Sequence, residues 1–170
     1  LRGESKKAGA NERVRVGVIG AGGRALSLNR SFAENANAEI VTIADLDPRR
    51  LPRAVEEVFR RQRKKTKTTE DFRHLIDDNS LDAIVVGTPD HWHAIPSIMA
   101  MLAGKDVYVE KPASHEFHEG RLLADAARKN KRIVQHGTQM RSSPVVAEAA
   151  EVLKSGILGE IKITKAWNVQ

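Results

Sequence analysis

Val14-Arg15-Val16-Gly17-Val18-Ile19-Gly20-Ala21-Gly22-Gly23-Arg24-Ala25 is the stretch that decides the fold. Its first half is a β-branched apolar run and reads as a buried strand. Its second half fits G-x-G-x-x-[G/A], with Ala25 in the third glycine position, where its methyl slightly enlarges the helix–strand contact. Glycines there allow a tight turn and close approach of a pyrophosphate. The N-terminus of the helix that follows offers free N–H groups and a positive dipole end to the phosphates. The bland alternative is a strand-to-helix turn that binds nothing. Two neighbours argue against it. A helix is expected over 25–36, and a second buried strand over 39–44, with Asp45 directly after it. Asp45 lies 23 residues beyond Gly22, close to the spacing of about 20 that places a carboxylate on the adenosine ribose. A carboxylate there accepts both ribose hydroxyls and repels a 2′-phosphate, so NAD is expected over NADP. Arg49 and Arg50 follow closely and are candidates to clamp a 2′-phosphate.

Outward from that stretch, strand and helix alternate. Asp47 and Pro48 read as N-cap and first residue of a helix running to about Arg63. Lys65–Thr68 reads as a very short edge strand. Thr68 or Thr69 caps a helix through Phe72, Leu75 and Ile76. Strands are expected at 83–86, 106–110 and 132–136, and helices at 93–103, 117–129 and 144–154. Short connections between parallel strands imply right-handed crossovers, and continuous apolar strands imply a sheet covered on both faces. The expected fold is α/β, a doubly wound six-stranded parallel sheet. Residues 160–170 break the pattern. Ile161, Ile163 and Trp167 alternate with Lys162, Thr164 and Asn168, as in a half-buried antiparallel strand. It reads as the first strand of a second, mostly missing domain over 157–170, pairing with another copy or with the body. Residues 1–13 are polar and unpatterned and read as a flexible leader.

Composition sets the outer limits. The 170 residues are 41% hydrophobic and 29% charged, as in an average soluble domain with its own core. No apolar run approaches the ~18 residues of a membrane span. There is no cysteine, which excludes disulfides, thiol catalysis and thiolate metal sites. Net charge is +6, compatible with an anionic ligand. Residues 49–67 hold nine cations and two glutamates. Aromatic content is only 4% and no stacking platform is evident, so a solvated face is expected there and no nucleic-acid partner. His91-x-His93 and His115-x-x-His118, with Asp90 or Glu116, raise the question of a metal. No spacing among them fixes a ligand set, and none is expected. The expected setting is soluble and cytoplasmic by default. The leader also suits a processed, exported form.

Two further motifs lie at the carboxyl ends of later strands, where doubly wound sheets bind ligands. They are Thr88-Pro89-Asp90-His91-Trp92-His93 and Glu110-Lys111-Pro112. With the glycine turn they resemble the Gfo/Idh/MocA family, the glucose–fructose oxidoreductase-like NAD(P)-dependent enzymes, over residues 14–170. The resemblance implies hydride transfer between nicotinamide and a sugar, polyol or related carbinol, in a homo-oligomer. Gly20 to Ala25, Asp45 and Arg49 would hold the adenosine and diphosphate. Thr88, Pro89, Asp90 and His93 would line the diphosphate and ribose side. Glu110 would hold the nicotinamide ribose region, and Gln139 and Arg141 would approach the nicotinamide. Lys111 would stand beside the nicotinamide C4 as the catalytic residue, its cation stabilising negative charge on the substrate oxygen. Burial would bring its ammonium toward proton-transfer range, and a cis Lys111–Pro112 bond would turn it inward. In the family a second domain brings the substrate pocket and a histidine base, so that base is expected beyond residue 170. The rival reading is a nucleotide-binding or sensing module of the same fold that transfers no hydride.

Overall fold

The computed structural model describes residues 12–167. The expected leader, through residue 11, and Asn168 lie outside them. The described chain divides into one unit ending at Gly137 and another beginning at Thr138.

In the first unit, six strands alternate with five helices: β1 (Val14–Ile19), α1 (Gly23–Glu34), β2 (Ala38–Ala44), α2 (Leu51–Gln62), β3 (Lys67–Thr69), α3 (Arg73–Asp77), β4 (Ala83–Val86), α4 (Ala94–Leu102), β5 (Asp106–Glu110), α5 (Phe117–Asn130) and β6 (Val134–Gly137). All neighbouring strands pair parallel, in the order β3-β2-β1-β4-β5-β6. Successive residues of one strand enter opposite clusters. Ile84 and Val86 pack with Leu75, Ile76, Ala100, Met101 and Leu123 of α3–α5. Val85 packs with Leu26, Leu28, Leu51, Ala54 and Val58 of α1 and α2. Helices therefore cover both faces, as the unbroken apolar strands require.

The differences from the sequence reading are local. α2 begins at Leu51, not Pro48. Pro52 has no N–H to donate and must sit in the first turn, so the helix starts one residue before it. Asp47 instead closes a turn, its Oδ1 accepting the Arg49 N–H at 3.1 Å. β3 is shifted to 67–69, where it meets Thr42 to Ala44. Thr69 takes the Asp71 N–H at 3.2 Å, which closes a turn, and α3 starts later.

The second unit holds a 3-10 turn (Gln139–Ser142) and α6 (Pro144–Lys154), with proline in its first turn. None of its described residues is buried. The strand expected from Glu160 is not formed: residues 160–167 have no regular structure, and Ile161, Ile163 and Trp167 are exposed. A strand exists only through hydrogen bonds to a neighbour, and among the described residues none supplies them.

Candidate functional site

β1 and β4 lie side by side at the centre of the sheet, and the helices that follow them leave toward opposite faces. That is the switch point of a doubly wound sheet, where ligands bind beyond the carboxyl ends of the strands. Gly20 ends β1 at φ +110°, and a Cβ there would stand 2.9 Å from the Gly87 carbonyl oxygen. Gly87 ends β4, and a Cβ on it would stand 3.0 Å from the Ala25 Cβ. The methyl that replaces the third glycine is therefore accommodated by a glycine opposite. Sequence reading did not single out Gly87. Its signal was a glycine placed directly between an apolar strand and Thr88-Pro89.

α1 starts at Gly23 with Gly22 as N-cap, no side-chain cap and no acid in its first turn. The space beyond Gly23 is open. Helix N-terminal donors left without a side-chain partner, next to a backbone that a ligand can approach, fit a pyrophosphate. Asp45 is brought to the same turn. Its Oδ2 accepts the Ala21 N–H at 2.6 Å and its Oδ1 the Asp47 N–H at 2.9 Å. Each oxygen keeps a lone pair for a hydroxyl. Of the two arginines, Arg49 is turned outward, 88% exposed and paired to Asp47. Its guanidinium holds the Asp47 carboxyl well down, to about 2. Arg50 is the one beside the glycine turn, its Nη1 3.1 Å from where a Gly22 Cβ would be. The basic segment is extensively paired: Arg60 with Glu56, Arg61 with Glu34 and Glu57, Lys64 with Glu39.

On the other side of the switch point, Thr88 and Pro89 lead into a 3-10 turn over Asp90–Trp92. The Thr88 hydroxyl donates to the Trp92 carbonyl at 2.9 Å, and Asp90 accepts the His91 N–H at 2.9 Å. His93 is 2% exposed. Its Nε2 faces the Thr88 carbonyl at 2.8 Å and its Nδ1 the Pro112 carbonyl. Both ring nitrogens are thus engaged with main chain, and His93 ties the Thr88 loop to the Lys111–Pro112 turn. Glu110 is equally buried and pairs with Arg24 across the sheet end. The Lys111–Pro112 peptide is cis. Lys111 itself is exposed among the described residues, none of which supplies the burial expected for it. It is the first residue past β5 and stands clear of the core. Gln139 and Arg141 fall in the 3-10 turn of the second unit. Among the described residues no three His, Asp or Glu gather into a metal-sized cluster. His91 lies by Asp90 at 3.7 Å, and His115 by Glu116 at 3.3 Å.

The parallel order, the uncapped glycine turn and the carboxylate held on it define an NAD(P)-binding Rossmann domain. A family profile described as "Oxidoreductase family, NAD-binding Rossmann fold" matches residues 14–138. The chain belongs to that family, Gfo/Idh/MocA. It is 30% identical over 166 residues to an inositol 2-dehydrogenase of Rubrobacter xylanophilus, covering 94% of this chain and 45% of the relative. It is also 30% identical over 157 residues to a glycosyl hydrolase family 109 protein of Shewanella sp. (strain ANA-3), covering 88% of this chain and 34% of the relative. Among solved structures, the 3-ketoreductase KijD10 of Actinomadura kijaniata with NADP superposes with a TM-score of 0.78 at 26% identity, over 88% of this chain and 46% of that one. The myo-inositol 2-dehydrogenase of Lactobacillus plantarum superposes with a TM-score of 0.75 at 26% identity, over 88% and 43%. The chain thus spans less than half the length of these relatives. No helix among the described residues is long and apolar enough to cross a membrane.

Proposed function

We propose that the protein carrying this chain moves hydride between a nicotinamide dinucleotide, NAD in preference to NADP, and a carbinol carbon of a sugar or polyol. The observation that carries the reading is the gathering of the glycine turn, Asp45 and Glu110-Lys111-Pro112 at the carboxyl ends of β1, β2 and β5. The relatives named as inositol dehydrogenases and a ketoreductase supply the substrate class. Nicotinamide, when bound, supplies the site that accepts or gives up hydride. The first-turn N–H groups of α1 receive the pyrophosphate, and Asp45 accepts the adenosine ribose hydroxyls. Asp45 repels a 2′-phosphate, whereas Arg50 beside Gly22 attracts one, which keeps the preference for NAD moderate. His93 shapes the loop above β4 rather than touching the ligand. Lys111 presents its ammonium to the substrate oxygen, where negative charge grows as the hydroxyl proton leaves or, in the reverse direction, as hydride adds to the carbonyl. The general base is supplied from outside these 170 residues.

The test is steady-state turnover of the full chain over a panel of sugars and polyols with NAD or NADP. Lys111→Ala should cost on the order of 10²–10³ in turnover with far less effect on NAD affinity. Unchanged turnover in that variant removes Lys111 from the mechanism. The panel includes aryl glycosides, because relatives named as glycosyl hydrolases match the same residues. NAD binding with no turnover on any substrate favours the non-catalytic module.

A further inference from the structure

Arg24 is the second residue of α1, and its side chain runs to the end of β5. Nε donates to Glu110 Oε1 at 2.8 Å, and Nη2 stands 2.7 Å from the same oxygen. β4 lies between β1 and β5, so the pair crosses the carboxyl end of β4, at the switch point. Glu110 is 2% exposed. Its Oε2 accepts the main-chain N–H of Lys111 at 3.1 Å. The Tyr108 hydroxyl is 3.4 Å from Oε1, and its ring packs edge-on against Phe32 of α1, centroids 5.6 Å apart. At the end of β6 a Cβ on Gly137 would stand 2.9 Å from Oε1, so glycine leaves the carboxylate its room. The G-x-G-x-x-[G/A] pattern leaves position 24 open, so nothing in the glycine motif asks for arginine there.

We propose that Arg24 is a positioning residue: by pairing with Glu110 over β4 it keeps that carboxylate on the Lys111 N–H and sets the two halves of the dinucleotide site together. The inference rests on reading the cleft as a dinucleotide site. The titratable groups facing Glu110 are Arg24 from α1 and Tyr108 from β5. Lys111 contributes a main-chain N–H, and β6 presents Gly137. Burial pushes Glu110 up, but the Arg24 guanidinium and the Lys111 N–H outweigh it and hold the carboxyl below its usual range. The same carboxylate raises Arg24. Without Arg24, a buried carboxylate would face the anionic cofactor with no cation to balance it. It would take up a proton near neutrality, as buried carboxyls do. Dinucleotide affinity would then fall as pH rises and the uncompensated charge returns.

The experiment is NADH binding to the full chain, followed by nicotinamide fluorescence from about pH 6 to about pH 9, the range in which buried glutamates titrate. The unmodified chain should change little over that range. Arg24→Leu should lose affinity toward the alkaline end, on the order of tenfold per unit of pH once Glu110 ionises. Adding Glu110→Gln should abolish the pH dependence, and Arg24→Lys should stay near the unmodified chain. A flat Arg24→Leu profile of unmodified affinity overturns the proposal, as does a titration that persists in the double variant. The Lys111 amide resonance in ligand-free protein gives a second readout. It should move in Arg24→Leu, which reaches that N–H only through Glu110, and stay near its unmodified position in Arg24→Lys; a resonance unmoved in Arg24→Leu overturns the pairing. Failure of the unmodified chain to bind NADH overturns the dinucleotide reading instead, and the amide resonance still decides the pairing.

Discussion

The two sides of the switch point are built differently. On the β1–β2 side, the glycine turn, the bare α1 N-terminus and the two N–H groups held by Asp45 are main-chain features. On the β4–β5 side, buried side chains set the shape: His93 spans two carbonyls and Glu110 spans Arg24 and the Lys111 N–H. The first side fails when a Cβ is added, and the second fails when a polar side chain is removed.

The sharpest way to break this contrast is Gly20→Ala. A residue at φ +110° whose Cβ meets the Gly87 carbonyl at 2.9 Å should lose about 2–5 kcal/mol of stability from strain and overpacking together, read by urea unfolding. A loss under about 1 kcal/mol would mean that the turn yields. On the other side, His93→Ala removes the buried imidazole between the Thr88 and Pro112 carbonyls, and with it the N–H that one of them accepts. About 1–3 kcal/mol should go, and amide exchange should quicken at both loops but not at Gly20–Ala25.

Acid titration compares the sides more gently. Glu110 is held below its usual range in the folded chain. Its contribution to stability is therefore complete above the unfolded carboxyl range and lost as pH falls through the folded one, which lies below it. Relative to Glu110→Gln, the unmodified chain should lose stability only in that window, and parallel curves down to acid pH would contradict the pairing. The smallest effect concerns an exception on the main-chain side. Asn29, fully buried on α1, has no partner for Nδ2 or Oδ1 among the described residues. Asn29→Ala should stabilise by about 1 kcal/mol, because unsatisfied buried polar groups cost that much or more. A destabilised variant would reveal an undescribed partner.

The same contrast explains what was legible in the sequence. The glycine turn, the strand-end carboxylate and the parallel, doubly wound sheet are read from local pattern and spacing; the structure forms that sheet and sets Asp45 on the Ala21 N–H. Gly87, the placing of Arg50 rather than Arg49 beside Gly22, and the Arg24–Glu110 pair depend on residues far apart in sequence. No local period records such contacts. Glu110, Lys111 and His93 were found through family resemblance, yet Lys111 is exposed and His93 is turned onto main chain. The strand from Glu160 shows the opposite failure. Its alternation is clear, but a pattern states which face would be buried and cannot supply the neighbour that makes a strand.

In the proposed function, the cleft beyond β1 and β4 holds a nicotinamide dinucleotide with its adenosine ribose on Asp45. Isothermal titration of NADH into the full chain and into Asp45→Ala tests it most directly. The unmodified chain should bind NADH more tightly than NADPH. Asp45→Ala should bind NADH about 10- to 100-fold more weakly, the loss of charge-assisted hydrogen bonds worth roughly 1.5–3 kcal/mol, with the preference over NADPH narrowed. Equal NADH affinity in the two proteins, or no binding by either, would contradict it.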